Sequence, residues 1–243
     1  MNIPVIKKND YIVILTGAGI SAESGIKTFR DNDGLWETHR VEDVATPEAF
    51  AHDPRLVWRF YKARYYQSLE VLPNPGHYAL VELEKAFGDR FLHVTQNVDG
   101  LHAKAGSTKY LEMHGTLHSC FCCKCKARFR MTEVDLSPEI PMCPQCGHPK
   151  ALLRPDIVWF GEMPYHLDEI FATLMKASVF ISIGTSGNVY PAANFINQAR
   201  RNGARTIVIN KDIPENNHYA DEFISGKSGE VLPELVKEWI KNE

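Results

Sequence analysis

The chain has 243 residues, 44% of them hydrophobic, which is enough for one large domain or for one domain with a smaller attachment. Lysine and arginine total 27 against 30 acidic residues, for a net charge of −3. Because no basic run stands out, we expect no direct contact with nucleic acid. No apolar run is long enough to span a membrane, and the N-terminus carries no cleavable signal. These features favour a cytoplasmic protein without a membrane partner, and none of them points to a particular oligomeric state.

An apolar strand, Tyr11 to Thr16, runs directly into a glycine turn. Gly17, Gly19 and Ala22 match the G-x-G-x-x-G/A spacing of dinucleotide-binding loops. In that motif the first glycine permits a tight turn, and the second lets backbone N–H groups approach a pyrophosphate. A plain structural turn explains the same residues, because glycine turns after buried strands are common. The motif alone therefore leaves both interpretations open.

Further along the chain, apolar runs alternate with helical patterns. The runs predict buried parallel strands at Phe91 to Thr95, Val179 to Ile183 and Thr206 to Ile209. The helical patterns lie at His77 to Phe87 and Pro191 to Asn202. This alternation predicts an α/β fold with a Rossmann-like, doubly wound parallel sheet, which binds ligands at the carboxyl ends of its strands. The polar loops at 17–19, 96–100 and 184–188 would converge there.

All six cysteines lie between Cys120 and Cys146, which favours metal over disulfides in a chain without an export signal. Cys122-x2-Cys125, seventeen residues and Cys143-x2-Cys146 match the spacing of a zinc ribbon. Four thiolates complete a tetrahedral shell, so such a zinc ion is structural. Cys120 and Cys123 form an overlapping pair; we prefer Cys122 and Cys125, because Cys123-Lys124 makes a compact polar turn. Six unmetalled thiols are the alternative.

Two stretches interrupt the alternation of strands and helices, and we interpret both as insertions that form a smaller domain. Residues 34–73 contain a strong helix pattern from Pro54 to Leu69, and residues 116–153 contain the cysteines. The expected division is a discontinuous Rossmann-like domain of residues 1–33, 74–115 and 154–243, beside a small domain. The helical module 34–73 and the zinc-ribbon module 116–153 make up that small domain.

Two polar segments are candidates for chemistry. His114 lies just before the zinc module, where the two domains would meet, and a histidine in such a cleft suits proton transfer near neutral pH. A hydrogen-bonded structural histidine is the alternative. The segment Gln96 to Asp99 offers amides and a carboxylate at a strand end, which suit recognition of a carboxamide or a ribose. Asn and Asp also favour turns and caps, so this segment too has a structural interpretation.

Taken together, these motifs resemble the sirtuins, which are NAD-dependent protein-lysine deacylases. The similarity covers essentially the whole chain, and the motifs occur in the family's order. They are Gly17 to Ile26, Thr28 to Arg30, Gly34 to Trp36, Gln96 to His102, His114-Gly115, the four cysteines, Val158 to Glu162 and Gly184 to Ser186.

The resemblance implies that NAD is bound and consumed as a co-substrate, beside one structural zinc ion. Gln96 would hold the ribose, and Asn97 and Asp99 the nicotinamide carboxamide. After the acyl-lysine oxygen captures the ribose C1′, His114 would act as general base on a ribose hydroxyl; free lysine, nicotinamide and O-acyl-ADP-ribose result. The implied NAD contacts are Gly17, Ala18, Gly19, Ile20, Ser21, Ala22, Glu23, Phe29, Arg30, Trp36, Gln96, Asn97, Val98, Asp99, Gly184, Thr185, Ser186, Asn210, Lys211, Asp212 and Ser228.

The same resemblance implies acylated lysine side chains of proteins as partners. Val158, Trp159, Phe160 and Gly161 would pair as an extended strand with the substrate peptide; an ordinary buried strand is the alternative. Tyr61 and Arg64 are three residues apart and share a helix face. Without context they suggest a core tyrosine and a solvated charge, but they resemble the Tyr-x-x-Arg element of desuccinylase and demalonylase sirtuins. We therefore expect activity on both acetyl- and succinyl-lysine, with this pair favouring the latter.

Two other functions account for part of the sequence. A hydride-transferring oxidoreductase would explain the glycine turn, but Glu37, Glu42 and Asp43 are not preceded by the β-branched strand that this fold places there. A zinc-ribbon binding module would use the basic residues around the knuckles, Lys124, Lys126, Arg128 and Arg130, but it would leave most of the chain without a role.

Overall fold

The computed structural model describes residues 3–26, 35–36 and 39–241. Its strands are β1 (Ile12–Thr16), β2 (Leu35–Trp36), β3 (His39–Arg40), β4 (Phe91–Thr95), β5 (Tyr110–Glu112), β6 (Gly115–Cys122), β7 (Arg128–Arg130), β8 (Leu153–Ile157), β9 (Val179–Ile183), β10 (Arg205–Asn210) and β11 (Glu222–Ser225). Its α-helices are α1 (Val41–Val44), α2 (Pro47–His52), α3 (Pro54–Glu70), α4 (Pro75–Phe87), α5 (Leu101–Ala105), α6 (Leu167–Leu174), α7 (Phe195–Arg201) and α8 (Ser228–Lys241).

The larger sheet has the order β11-β10-β9-β1-β4-β5, and every neighbouring pair is parallel. In chain order this is the 3-2-1-4-5-6 arrangement of the doubly wound α/β fold. The order reverses between β1 and β9, so a crevice opens beyond the carboxyl ends of these two strands. The predicted fold class is confirmed.

Both faces of this sheet are buried. Successive side chains of a strand point to opposite faces, so each strand contributes to a cluster on either side. Ile12 and Ile14 of β1 pack in one cluster with residues of α4 and α8. Val13 and Leu15 pack in the other with residues of α6 and α7. The continuous apolar runs of the sequence follow from this double burial.

A smaller antiparallel sheet has the order β7-β6-β8. Helix α3 packs against β6 and β8, where the Trp58 indole donates a hydrogen bond to the Leu153 carbonyl at 2.9 Å. Asp53 caps the start of α3 by accepting from the backbone N–H groups of Arg55 and Leu56. Strands β6 and β8 reach from the cysteines to His114, so one strand pair links the metal module to the candidate site.

Within the described part of the chain, no helix is both long enough and apolar enough to cross a lipid bilayer.

Candidate active site

A cavity of about 930 Å³ lies at the carboxyl ends of the parallel strands. The loops after β1, β4, β9 and β10 line one part of it, and α3, His114 and the segment after β8 line the other. The three loops that the sequence predicted to converge therefore do so. They meet at the point where the strand order reverses, which is where this fold class binds its ligands.

The glycine turn meets the loop after β9 at very short range. The Gly19 N–H donates to the Gly184 carbonyl at 2.9 Å, and a Cβ at Gly19 would lie 2.7 Å from the Gly184 Cα. No larger residue fits at Gly19 without displacing backbone. The glycine therefore allows two loops to pack closely at the carboxyl ends of β1 and β9.

Most of the residues that the resemblance implied line this one cavity. They are Gly17, Ala18, Gly19, Ala22, Glu23, Tyr61, Arg64, Gln96, Asn97, Val98, Asp99, His114, Val158, Trp159, Phe160, Gly161, Gly184, Thr185, Ser186, Asn210, Lys211, Asp212 and Ser228. Ile20 and Ser21 are buried behind the turn and do not line it. Phe29, Arg30 and the Trp36 side chain lie outside the described residues.

The His114 ring is held by the loop after β4. Its Nδ1 lies 3.2 Å from the Gln96 carbonyl oxygen. Because a carbonyl only accepts, Nδ1 carries the hydrogen and Nε2 keeps its lone pair. Burial lowers the pKa of His114, against a smaller opposing effect of the Gln96 carbonyl. The imidazole is therefore neutral and able to accept a proton at neutral pH, and the acid limb of any rate that depends on it lies below the ordinary histidine range.

Asn97 and Asp99 are buried and fixed by their own loop. The Asn97 amide nitrogen lies 3.1 Å from both the Gly17 carbonyl and the Ser21 hydroxyl, so it ties the loop after β4 to the glycine turn. One Asp99 oxygen accepts at 2.9 Å from the N–H of Leu101, the first residue of α5, as in an Asx turn. The turn interpretation and the binding interpretation of this segment are therefore compatible.

Three buried histidines, His77, His93 and His102, form a cluster beside Thr16 at the end of β1. Thr16 Oγ1 lies 2.8 Å from His93 Nε2 and 3.1 Å from His102 Nε2, and the His77 ring centroid is 4.8 Å from that of His102. Within the described residues, the Nδ1 atoms of His93 and His102 have no hydrogen-bond partner. Burial lowers the pKa of His93 to about 3, that of His77 to about 4 and that of His102 well below its usual value.

This histidine cluster is expected to make the fold sensitive to acid. In the unfolded chain these histidines bind protons near pH 6.5, whereas in the folded chain they stay neutral at that pH. The free energy of unfolding is therefore highest above pH 6.5 and decreases as the pH falls toward 4. Each such histidine contributes a slope of about 1.4 kcal/mol per pH unit. Urea unfolding between about pH 5 and pH 7 measures this slope, and His93→Leu is expected to reduce it by one proton. His52→Gln, at an exposed histidine, is the control; an unchanged slope in His93→Leu would contradict the assignment.

Tyr61 and Arg64 extend from α3 into the cavity that also holds His114. Tyr61 is fully buried and Arg64 is 6% exposed. The alternative interpretation of Arg64 as a solvated charge is therefore wrong, although it holds for an arginine on a typical surface helix. Burial raises the pKa of Tyr61, so its hydroxyl stays protonated. A phenol and a guanidinium therefore share one wall of the cavity.

The four cysteines of the preferred register come together beside the small sheet. The Cys122 and Cys146 sulfurs are 3.9 Å apart, those of Cys125 and Cys143 are 3.8 Å apart, and all four lie within 4.8 Å of one another. A tetrahedral zinc ion with Zn–S distances of about 2.3 Å needs sulfurs ~3.8 Å apart. The donor set therefore fits a tetrahedral zinc ion. Cys120, in the alternative register, is buried in the core between α3 and the small sheet.

Several residues that line the cavity were not singled out from the sequence. They are Ile26, Ala45, Ile157, Glu162, Pro164, Asn188, Val189, Tyr190, Gly226 and Lys227. Ile26, Glu162 and Asn188 belong to segments already noted, and the polar side chains of Glu162 and Asn188 were the available signal. The apolar members carry no pattern that distinguishes them from core residues. Only the folded chain places them at the cavity.

The Sir2 family model matches residues 17–191. The chain therefore belongs to the Sir2 family, as its resemblance to the sirtuins predicted. A relative from Bdellovibrio bacteriovorus, named NAD-dependent protein deacylase, is 54% identical over 232 residues, which cover 95% of this chain and 97% of the relative. A relative of the same name from Salmonella typhimurium is 48% identical over 241 residues, covering 98% and 87%.

Solved structures agree with this assignment. A mutant Sir2 homologue in complex with ADP ribose superposes with a TM-score of 0.89 at 41% identity, covering 96% of this chain and 94% of that one. A Sir2 homologue in complex with NAD superposes with a TM-score of 0.87 at 41% identity, covering 96% and 91%.

Proposed function

We infer that this chain is an NAD-dependent protein deacylase, and we propose that it removes succinyl and malonyl groups as well as acetyl groups from lysine side chains of proteins. The deacylase activity accords with the names of relatives about half identical to it. The observation that carries the acyl specificity is the placement of Tyr61 and Arg64 in the same cavity as His114. We propose that it acts on these lysines in the cytoplasm, the location that the sequence favours.

The cradle formed by the glycine turn and the loop after β9 fits the pyrophosphate and ribose of NAD. A Cβ at Gly17 or Gly19 would lie 2.8 or 2.7 Å from the Gly184 backbone, so these glycines let the two loops meet at the cavity wall, where this fold class binds dinucleotides. Asn210, Lys211 and Asp212 would lie toward the adenosine end, with Ser228 at the start of α8. When bound, NAD supplies an electrophilic ribose carbon and nicotinamide as the leaving group. Asn97 and Asp99 would hold the nicotinamide carboxamide, and Gln96 the ribose.

His114 would accept the proton of a ribose hydroxyl at Nε2. The Gln96 carbonyl fixes the tautomer that leaves this atom unprotonated, and burial keeps the ring neutral. Because the ring lies in the wall of the cavity, water has restricted access to it once substrates are bound.

Tyr61 and Arg64 would hold the far end of the acyl group. Both side chains line the cavity, and a dicarboxylic acyl group would bring a carboxylate to them. Arginine binds a carboxylate through two parallel N–H···O bonds, and a protonated phenol adds a third. An acetyl group lacks that carboxylate and gains nothing from either residue. The pair therefore favours succinyl-lysine over acetyl-lysine.

The segment after β8 would receive the substrate peptide. The Val158 N–H already donates to the His114 carbonyl and the Phe160 N–H to the Ala45 carbonyl. The carbonyl groups of this segment, together with Gly161, would therefore pair with a peptide strand that lies against it. Phe160 is 51% exposed at the mouth of the cavity, where it can cover the aliphatic part of the lysine.

The zinc module would be purely structural. Cys122, Cys125, Cys143 and Cys146 would hold one zinc ion with no open position for water or substrate. We propose that the chain divides into a Rossmann-like domain of residues 1–33, 74–115 and 154–243 and a small domain of residues 34–73 and 116–153.

Arg64→Met tests the acyl specificity. We expect the ratio of kcat/KM for succinyl-lysine to that for acetyl-lysine to fall by one to two orders of magnitude, because a charged hydrogen bond contributes about 1.5–3 kcal/mol. Matched acetyl- and succinyl-lysine peptides are incubated with NAD, and mass spectrometry identifies the peptide and the O-acyl-ADP-ribose.

Arg59→Met is the matched control, since Arg59 is an exposed arginine on the same helix. It makes the same change of charge outside the cavity. An Arg64→Met variant whose ratio equals that of Arg59→Met would refute the specificity. Failure of the unmodified protein to form O-acyl-ADP-ribose from either peptide would refute the deacylase function itself.

A further inference from the structure

The Trp159 side chain contacts Tyr61, one of the two residues of the proposed acyl pocket. Its indole nitrogen donates a hydrogen bond to the Tyr61 hydroxyl oxygen at 3.0 Å. Both side chains are buried, with Trp159 2% and Tyr61 0% exposed. This contact joins the segment after β8, which we assigned to peptide binding through its backbone, to the helix that carries Arg64.

The indole is held rigidly. The Arg154 guanidinium carbon lies 3.5 Å from the centroid of the Trp159 ring, within the range of a stacking cation–π contact. Arg154 in turn donates to both carboxylate oxygens of Glu162, at 2.7 and 2.9 Å. Glu162 also accepts from the Trp159 backbone N–H at 2.9 Å. The ring and the main chain of Trp159 are thus fixed by the same ion pair.

The chemistry of the two groups fixes the direction of the Tyr61 hydroxyl. An indole N–H is a donor and never an acceptor, so the Tyr61 oxygen must act as the acceptor in this contact. The phenol hydrogen then points away from Trp159. A carboxylate is an acceptor only and therefore needs that hydrogen directed toward it. Arg64, one turn further along α3, lines the same cavity.

We propose that Trp159 is a positioning residue for acyl specificity: its indole N–H holds the Tyr61 hydroxyl as a donor toward the distal carboxylate of a dicarboxylic acyl group. This proposal rests on the proposed function, because it concerns the pocket that Tyr61 and Arg64 form. It assigns to the indole nitrogen a role that a phenyl ring of similar size cannot take.

Trp159→Phe, Tyr61→Phe and the double variant test it. Each single variant is expected to lower the succinyl-to-acetyl ratio of kcat/KM by about tenfold, mainly through a higher KM for the succinyl peptide. The double variant is expected to equal Tyr61→Phe, because Trp159 acts through that hydroxyl. Trp58→Phe is the matched control: its indole donates to the Leu153 carbonyl rather than to a residue of the pocket, so the ratio stays at its original value.

The outcomes separate the two proposals. If Arg64→Met lowers the ratio and Trp159→Phe does not, the positioning role is wrong and the proposed specificity stands. Multiplicative effects of Trp159→Phe and Tyr61→Phe would also overturn the positioning role, because they would show independent action. If Arg64→Met leaves the ratio unchanged, the proposed specificity fails.

A second measurement covers the case in which Trp159→Phe does not fold. In ¹⁵N-labelled protein, Tyr61→Phe is expected to shift the indole N–H resonance of Trp159 and to speed its hydrogen exchange. The indole N–H of Trp58 serves as the internal reference. An unchanged Trp159 resonance in Tyr61→Phe would overturn the proposal.

Discussion

Replacing His114 with alanine is expected to lower kcat/KM for acetyl- and succinyl-lysine peptides alike, by a factor of about 10²–10⁴. The two activities fall together because the proposed base would act on a ribose hydroxyl, in a step that is the same for both acyl groups. His114→Ala therefore differs from Arg64→Met, which changes the ratio of the two activities. Product formation with both peptides at saturating NAD is the measurement.

The loss is also expected to be selective for one stage of the reaction. Since the proposed base would act only after nicotinamide has left, exchange of labelled nicotinamide into NAD should fall less than product formation. His52→Ala, at an exposed histidine on α2, is the control. Product formation at the original rate by His114→Ala would exclude His114 as the base.

Removal of zinc is expected to produce the largest loss of stability. Binding to four thiolates contributes several kcal/mol to a module too small to hold a core alone, and in a chain of this size 1 kcal/mol shifts the melting temperature by about 2–4 °C. We expect chelation, or Cys143→Ser, to lower the melting temperature by roughly 10–20 °C. Deacylation should fall with it, because β6 and β8 run from the cysteines to His114.

The cysteine register gives this experiment its controls. Cys122→Ser and Cys125→Ser are expected to lose zinc, measured as metal per chain, whereas Cys123→Ser and Cys120→Ala are expected to retain it. Cys123 is next to the cluster in sequence but outside it in space, so it controls for the substitution itself. Zinc lost from Cys120→Ala and retained in Cys122→Ser would establish the other register.

The sequence predicted the central strands of the sheet closely. Strands β4 and β9 have the predicted bounds, and β1 and β10 differ from them by one residue at an end or at both ends. These strands are buried on both faces, so their apolar runs are unbroken. The outer strands β5 and β11 were missed, because three or four residues with polar members give no periodicity.

The residues of the candidate site that belong to recognisable sequence motifs were predictable. The glycine turn, the loop after β4, His114 and the cysteines each combine unusual residues at a fixed spacing. What the sequence could not supply are contacts between distant segments, such as Trp159 with Tyr61. The burial of Arg64 was likewise beyond it, because a charge on a helix is ordinarily solvated and only the folded chain shows that this one is 6% exposed.

The continuity of the cavity from the glycine turn to Arg64 bears on inhibitor design. A compound that fills the nicotinamide end and extends a carboxylate to Arg64 would combine two binding regions in one molecule, without an entropic penalty for a second association. Its selectivity would come from the arginine, since a deacylase with an apolar residue at that position would have to bury the carboxylate unpaired. A compound ending in a methyl group would bind equally well to a deacylase with arginine at this position and to one with an apolar residue there.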